Sequence, residues 1–335
     1  MYFFFLRRTG RNGKQGDNKD GVIFHIENYK ESLADHTDRT GQGFSHQSLF
    51  PIFTFMKVLL TLFVMLSTMA YSQSIKVMTY NIRLDVASDG VNQWSNRKEK
   101  LPALIGKYDP DLIGLQEAMH HQLMDILKAL PQYDYIGVGR DDGKEKGEYS
   151  AILYKKDRFR VQWDRTTWLS ETPDIPGSKS WDAAITRVVT RGSFVDKQTG
   201  ETFLYYNTHF DHIGKEARKN SVPVIQKAIE NEKNFVSDVP AVDRVIITGD
   251  FNSQPSEDPY KEMVRSKEYR DARPEDSTQG TFCTFAVNGP PCTLIDHIFY
   301  STKGWKRKSY QVIKDNDGTY YPSDHLPVMA EFEFK

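Results

Sequence analysis

Eight residues, Val245-Ile246-Ile247-Thr248-Gly249-Asp250-Phe251-Asn252, constrain this chain more than any other stretch. Three β-branched apolar residues in a row specify a buried strand, and Gly249 marks where it gives way to a turn. Asp250 and Asn252 follow at alternate positions. In a chain that is still extended, their side chains project to the same side, off the end of the strand. A carboxylate and a carboxamide placed there suit a hard cation, or an oriented water and an anionic substrate. Gly, Asp and Asn are equally the residues of an ordinary turn. Alone, the stretch leaves turn and site open.

The same pattern recurs along the chain. Ile75–Ile82 is an expected strand ending on Asn81, and Leu112–Gln116 is another running into Glu117. Further strands are expected at Tyr133–Val138, Tyr149–Tyr154, Phe159–Leu169, Ile185–Phe194, Thr202–Thr208, Thr293–Tyr300, Lys306–Ile313 and Pro327–Glu333. Helices are expected at Arg97–Tyr108 (a late start or kink at Pro102), His120–Leu130, Lys215–Phe235 (interrupted near Pro223) and in the polar stretch before Arg270. Many strands joined by tight turns, with three or four helices, indicate an α+β sandwich with helices packed outside rather than a barrel of βα repeats.

Not all of the chain belongs to that fold. Met56-Lys57 is a short basic start, Val58–Ala70 is a nearly unbroken apolar run, and Ala70-Tyr71-Ser72 offers small residues at the positions a signal peptidase reads. Residues 56–72 are therefore expected to be a secretory signal peptide, since the run is short for a spanning helix. Residues 1–55 lack periodicity and are expected to be unstructured or a misassigned start, leaving 73–335 as one large folded domain. Residues 73–335 carry 36 basic and 39 acidic residues with no long basic run, so charge gives no support for a polymeric nucleic acid partner. Of the two cysteines, Cys283 and Cys292, no Cys-x-x-Cys pair suggests zinc, and in an exported protein they could form a disulfide.

The strand-terminal polar groups are Asn81, Glu117, His209, Asp250, Asn252, Asp296 and the pair Asp324-His325. If the strands of two packed sheets end at one rim, these residues converge. They suit metal-assisted hydrolysis of a phosphate ester, which needs charge neutralised, a water activated and the leaving oxygen stabilised. Tyr80-Asn81-Ile82-Arg83, Gln116-Glu117, Asn207-Thr208-His209, Gly249-Asp250-Phe251-Asn252, Ile295-Asp296-His297-Ile298 and Ser323-Asp324-His325-Leu326-Pro327, in this order, resemble the motifs of the endonuclease/exonuclease/phosphatase superfamily.

The resemblance implies an α/β/β/α sandwich of four layers, with two mostly antiparallel mixed sheets packed face to face and the site at one edge. It also implies Mg2+, with Mn2+ as a possible substitute. Glu117 would be the principal metal ligand, with Asn81 beside metal or phosphate and Asp324 nearby. Asp250 would orient or deprotonate the attacking water, and Asn252 would hold the phosphate. His325 would bind the phosphoryl oxygen, fixed by Asp296, and His209 would donate a proton or contact phosphate. Arg187 resembles a phosphate-facing arginine, with a surface ion pair as the other reading. Glu148 could join the metal site. His212 and His297 fit structural roles better, and Trp163, Trp168 and Trp181 are either core or pocket lining.

The expected protein is an exported, monomeric, metal-dependent phosphoesterase with no membrane insertion after signal cleavage. Its substrate could be a nucleic acid, a sphingomyelin-like lipid, an inositol phosphate or another phosphorylated metabolite. A non-catalytic binding protein of the same fold would carry substitutions among these residues, and none is seen. A glycosidase using Glu117 and Asp250 leaves both histidines and both asparagines without work.

Overall fold

The computed structural model describes residues 74–235 and 243–335. The expected leader at 56–72 and the extension before it lie outside these. Among the described residues, twelve strands form two six-stranded sheets. The first has the order β11 (Trp305–Val312), β12 (Val328–Phe334), β1 (Ser74–Asn81), β2 (Leu112–Gln116), β4 (Ile152–Lys155), β3 (Tyr133–Ile136). The second runs β5 (Phe159–Trp168), β6 (Val188–Asp196), β7 (Thr202–His209), β8 (Val245–Asp250), β10 (Asp296–Ser301), β9 (Tyr269–Asp271). Only β1–β2 and β7–β8 pair in parallel. The sheets are thus mixed but mostly antiparallel, as expected.

Side-chain alternation makes the layers. From β1, Ile75 and Val77 join Phe194, Phe203, Tyr205, Ile246 and Ile298 in the core between the sheets. Met78 and Tyr80, on the opposite face, pack under α2 (Lys100–Tyr108) and α3 (His120–Ala129), which follow the short α1 (Trp94–Arg97). Behind the second sheet, Leu204, Tyr206, Val245 and Ile247 meet Val222, Ile225 and Ile229 of α4 (Lys215–Phe235) and Met263 of α5 (Asp258–Arg265). Each helix offers apolar residues at helical spacing, and each sheet is covered on both faces. The result is the four-layer sandwich.

Three details depart from the sequence reading. Helix α4 passes through Pro223 without interruption. Proline costs a helix interior about 3 kcal/mol, and here Val222, Ile225 and Ile229, all buried in one stripe, hold the flanking turns in place. The helix expected up to Arg270 ends at Arg265, and Tyr269–Asp271 is an edge strand. The helix expected from Arg97 does start late, at Lys100, and what the sequence reading left out is the separate α1 before it, preceded by a 3-10 turn at Ala87–Asn92.

One polar residue joins the two sheets. Asn207, fully buried in β7, donates through Nδ2 to the carbonyls of Leu115 (2.7 Å) and Ala151 (2.9 Å) in the first sheet. Its Oδ1 accepts from Gln116 Nε2 (2.6 Å) and Thr248 Oγ1 (3.0 Å). Gly114 makes room for it, because a Cβ there would collide with the Asn207 and Thr248 side chains. Replacing Asn207 with alanine strands several buried groups at once. The expected loss is on the order of 3 kcal/mol of unfolding free energy, read from the denaturant midpoint at unchanged slope.

Candidate active site

The strands that flank this stitch end at one rim, and their terminal residues leave the extended conformation there. Arg83, Glu117 and Asn252 all have left-handed backbones, with φ of 57°, 59° and 44°. Residues other than glycine hold that conformation at a cost of about 1 kcal/mol or more each. The expectation that Asp250 and Asn252 share a side because the chain stays extended is therefore corrected. The chain turns at Asn252, whose N–H donates to Asp250 Oδ1 (2.9 Å), and the turn brings the two side chains together.

Asp250 is the meeting point. Its Oδ2 accepts from Asn81 Nδ2 (3.1 Å) and lies 3.4 Å from His209 Nε2 and 3.7 Å from His325 Nε2. Asn81 Nδ2 also reaches Glu117 Oε1 (3.1 Å), while Glu117 Oε2 accepts the N–H of Leu84 (3.1 Å). Asp296 pairs with Asp250 across the β8–β10 ladder, and its Oδ2 binds His325 Nδ1 (2.9 Å). Asn252 Nδ2 contacts His209 Nε2 (3.1 Å) and donates to the Phe210 carbonyl (3.0 Å). Asn81 and Glu117 come from the first sheet, and His209, Asp250, Asn252 and Asp296 come from the second. His325 enters on the loop before β12. That loop is pinned by Ser323 Oγ on the Asn81 carbonyl (2.8 Å) and by Arg97 Nη1 on the carbonyls of Ile82 (2.7 Å) and Pro322 (3.0 Å).

The protonation states follow from this crowding. Burial and then the Asp296 carboxylate push Asp250 up to about 7. Burial works against charge on His325, but Asp296, Asp250 and Asp324 outweigh it and raise the imidazole to about 10. At neutral pH His325 is a cation. His209 goes the other way. Burial, then the positive charges of Arg187, Arg140 and His325, hold it well below its usual value. A neutral ring accepting from Asn252 fits phosphate contact better than proton donation.

The other predicted residues fall into place around this centre. Asp324 is raised by burial and by Glu117, with Arg83 Nε 3.9 Å away. The surface ion pair considered for Arg187 is not what the fold makes. Arg187 is buried and its ion pair is a buried one, with Nε 3.8 Å from Asp211 Oδ2; its Nη2 meets His212 Nδ1 (3.2 Å), and Nε and Nη1 have no hydrogen-bond partner among the described residues. Glu148 is taken up by Arg140 (2.6 Å), which leaves it a poor candidate for a metal. His297 bridges Asp271 and the Ser253 carbonyl inside an aromatic cluster. Trp168 is buried, Trp163 packs half-buried against the core behind the second sheet, and Trp181 is exposed. The cysteines form the disulfide Cys283–Cys292. The roles of Asn207, Gln116, Ser323 and Arg97 were not foreseen; a fully polar Asn207 inside an apolar strand was the one available signal.

A divalent cation fits the chemistry of this donor set. Glu117, Asp250 and Asp324 are carboxylates gathered at one rim, Asp250 raised by burial and by Asp296, and Asp324 by burial and by Glu117, and oxygen donors suit a hard ion. Asp250, Asp296 and His325 also cluster within 4.8 Å, but a protonated His325 bound to Asp296 does not ligate. Glu117 with Asp324 and Asn81 is the better cradle, and Asn81 also reaches Asp250 beside it.

Comparison with known proteins agrees with this geometry. A model described as the Endonuclease/Exonuclease/phosphatase family matches residues 78–325. The structure of a mannosyl-6-phosphatase from Bacteroides thetaiotaomicron superposes with a TM-score of 0.71 at 38% identity, over 77% of this chain and 99% of that one. An uncharacterised protein of Acanthamoeba polyphaga mimivirus is 29% identical over 49% of this chain and 60% of its own length. The CCR4-Not complex 3'-5'-exoribonuclease subunit Ccr4 of Mycosarcoma maydis is 23% identical over 79% of this chain and 51% of its own length. The chain thus spans little more than half the length of these two curated relatives.

Proposed function

Because the chain belongs to the endonuclease/exonuclease/phosphatase family, we propose that it is an exported, Mg2+-dependent phosphoesterase acting on a phosphorylated sugar or similar small phosphomonoester. The observation that carries this reading is the convergence of Asn81, His209 and His325 on one Asp250 oxygen, with Asp296 behind His325. Similarity to a mannosyl-6-phosphatase along nearly its whole length supports the choice of substrate. The Met56–Ser72 pattern and a disulfide, a bond of oxidising compartments, support export.

In the proposed mechanism, Asp250 Oδ2 takes a proton from the attacking water as the water oxygen bonds to phosphorus and the ester P–O bond breaks, the leaving oxygen taking its proton from solvent. His325 Nε2–H donates to a non-bridging oxygen as negative charge grows there, and Asp296 keeps that imidazole charged and aimed. Asn252 and neutral His209 orient the phosphoryl group, while Arg187 adds positive charge behind them. Glu117, with Asn81 and Asp324, would hold Mg2+, which would neutralise phosphate charge and stabilise the leaving oxygen.

The pH profile follows from these states. A base must be unprotonated, so activity rises as pH passes through about 7, where Asp250 ionises. His325 must be protonated, so activity falls as pH passes about 10. Raising Mg2+ stabilises the Asp250 carboxylate and moves the acid limb to lower pH. A kcat/KM profile at two Mg2+ concentrations checks both limbs and the sign of the shift.

The deciding assay is a panel of mannose 6-phosphate, inositol phosphates, sphingomyelin, RNA, DNA and p-nitrophenyl mono- and diesters, each with Mg2+ and with EDTA. Turnover that survives EDTA would remove the metal, and preference for RNA would move the chain toward its exoribonuclease relative. Mass spectrometry of the native N-terminus tests export: a start near Gln73 is expected, and peptides from before Met56 would refute cleavage.

A further inference from the structure

Between β9 and β10 the chain makes a flap, residues 280–293, closed at its base by Cys283–Cys292. Gly280 packs so closely on Cys292 that a Cβ would collide with the Cys292 carbonyl. On one side, the N–H groups of Thr281 and Phe282 donate to the Thr293 carbonyl (2.9 and 2.8 Å), and Thr293 returns one to Phe282 (2.7 Å). On the other, Cys283 N–H donates to the Asp324 carbonyl and Leu326 N–H to the Thr281 carbonyl, both at 2.7 Å. Residues 281–283 thus form a rung between Thr293 and the segment that carries His325.

The Thr281 side chain completes the link. It is fully buried, and Oγ1 accepts the N–H groups of Ile295 (3.2 Å) and Asp296 (3.1 Å). The next residue, Phe282, lays its ring 4.8 Å from the His325 ring while remaining 40% exposed. One short segment therefore fixes Asp296 through a side chain and His325 through the main chain. The 2.9 Å Asp296–His325 contact joins a strand of the second sheet to a loop of the first.

We propose that Thr281 is a positioning residue for the Asp296–His325 pair, and that the Cys283–Cys292 bond holds it there, so that breaking the disulfide lowers turnover. A dithiol reductant supplies the two electrons and two protons that convert the bond to two thiols, and is itself oxidised to a cyclic disulfide. With the bond gone, the flap is held by its hydrogen bonds alone and loses the covalent closure at its base. The Thr281 hydroxyl then fluctuates more widely, and with it the Asp296 backbone.

The kinetic part of this inference rests on the phosphoesterase reading; the spectroscopic part does not. Thr281→Val keeps the volume and removes the acceptor. It is expected to lower kcat by about 10- to 100-fold with KM within about threefold, the scale of a misplaced catalytic group. Thr281→Ser, which restores the hydroxyl, recovers most of that loss. Dithiothreitol lowers wild-type kcat reversibly, and the Cys283→Ser/Cys292→Ser variant is slow and indifferent to it. In the proton NMR spectrum, the downfield His325 Nδ1–H signal, assigned by its loss in His325→Gln, is present in oxidised wild type and in Thr281→Ser. It is expected to broaden or vanish in Thr281→Val and on reduction. Wild-type kcat together with an intact signal in Thr281→Val overturns the proposal, as does a loss shared equally by kcat, KM and melting temperature. A wild type that cleaves no phosphate ester refutes the phosphoesterase reading, and the NMR comparison then decides the role of Thr281.

Discussion

Replacing Asp250 with asparagine is expected to lower kcat by on the order of 10³-fold, within the range for a lost general base. Stability is expected to move the other way. Asp250 is a buried carboxylate raised by burial and by Asp296, and an amide carries none of that penalty. In EDTA, the variant should melt at or above the wild-type temperature, although its new N–H groups face Asn81 Nδ2 across a contact now at 3.1 Å. Calorimetry beside single-turnover kinetics separates the two effects. A variant that stays active would remove Asp250 from the mechanism, and one that is inactive only because it melts early would leave the base unproven.

The Asp296–His325 pair gives the second large effect. Losing the His325 donor is expected to cost about 10²- to 10³-fold in kcat, the scale seen when one preorganised oxyanion donor is removed. Asp296→Asn should cost less at neutral pH, yet change the profile in a way His325→Gln cannot. Asp296 is the chief charge raising His325, so without it the alkaline limb should fall below about 10 and encroach on the neutral range. The two groups act as a unit, so the double variant should be scarcely slower than His325→Gln alone. Multiplicative losses would mean that Asp296 works elsewhere.

How much of this was legible depended on whether a residue's work was local. Asp250, Glu117, Asn81 and His209 each interrupt a buried apolar run at its end, so they stand out against strand periodicity. That pattern also gave the sheets and their outer helices. Asn207 sits inside its strand, and its partners Leu115 and Ala151 belong to the other sheet. No spacing along the chain encodes that pairing. Thr281 is similar, since its value comes from meeting Asp296 and Leu326. Pro223 misled because a helix-breaking preference was outweighed by packing against the second sheet. Arg187 was recognised, but its burial depended on how loops close around it, which residue type alone does not specify.

The register of β1 with β12 has a consequence for how the domain can be handled. Ser74 pairs with Glu333 and Thr79 with Val328, so among the described residues the start of β1 and the end of β12 lie side by side. The rim begins at Asn81, seven residues along β1, roughly 23 Å from those ends at strand rise. Anything joined at either end attaches at the pole facing away from the catalytic edge. An affinity tag, a bead or a fused partner at Lys335 should leave turnover untouched. A circular permutant that links the two ends and opens the Asp196–Thr202 turn should refold with its rim intact.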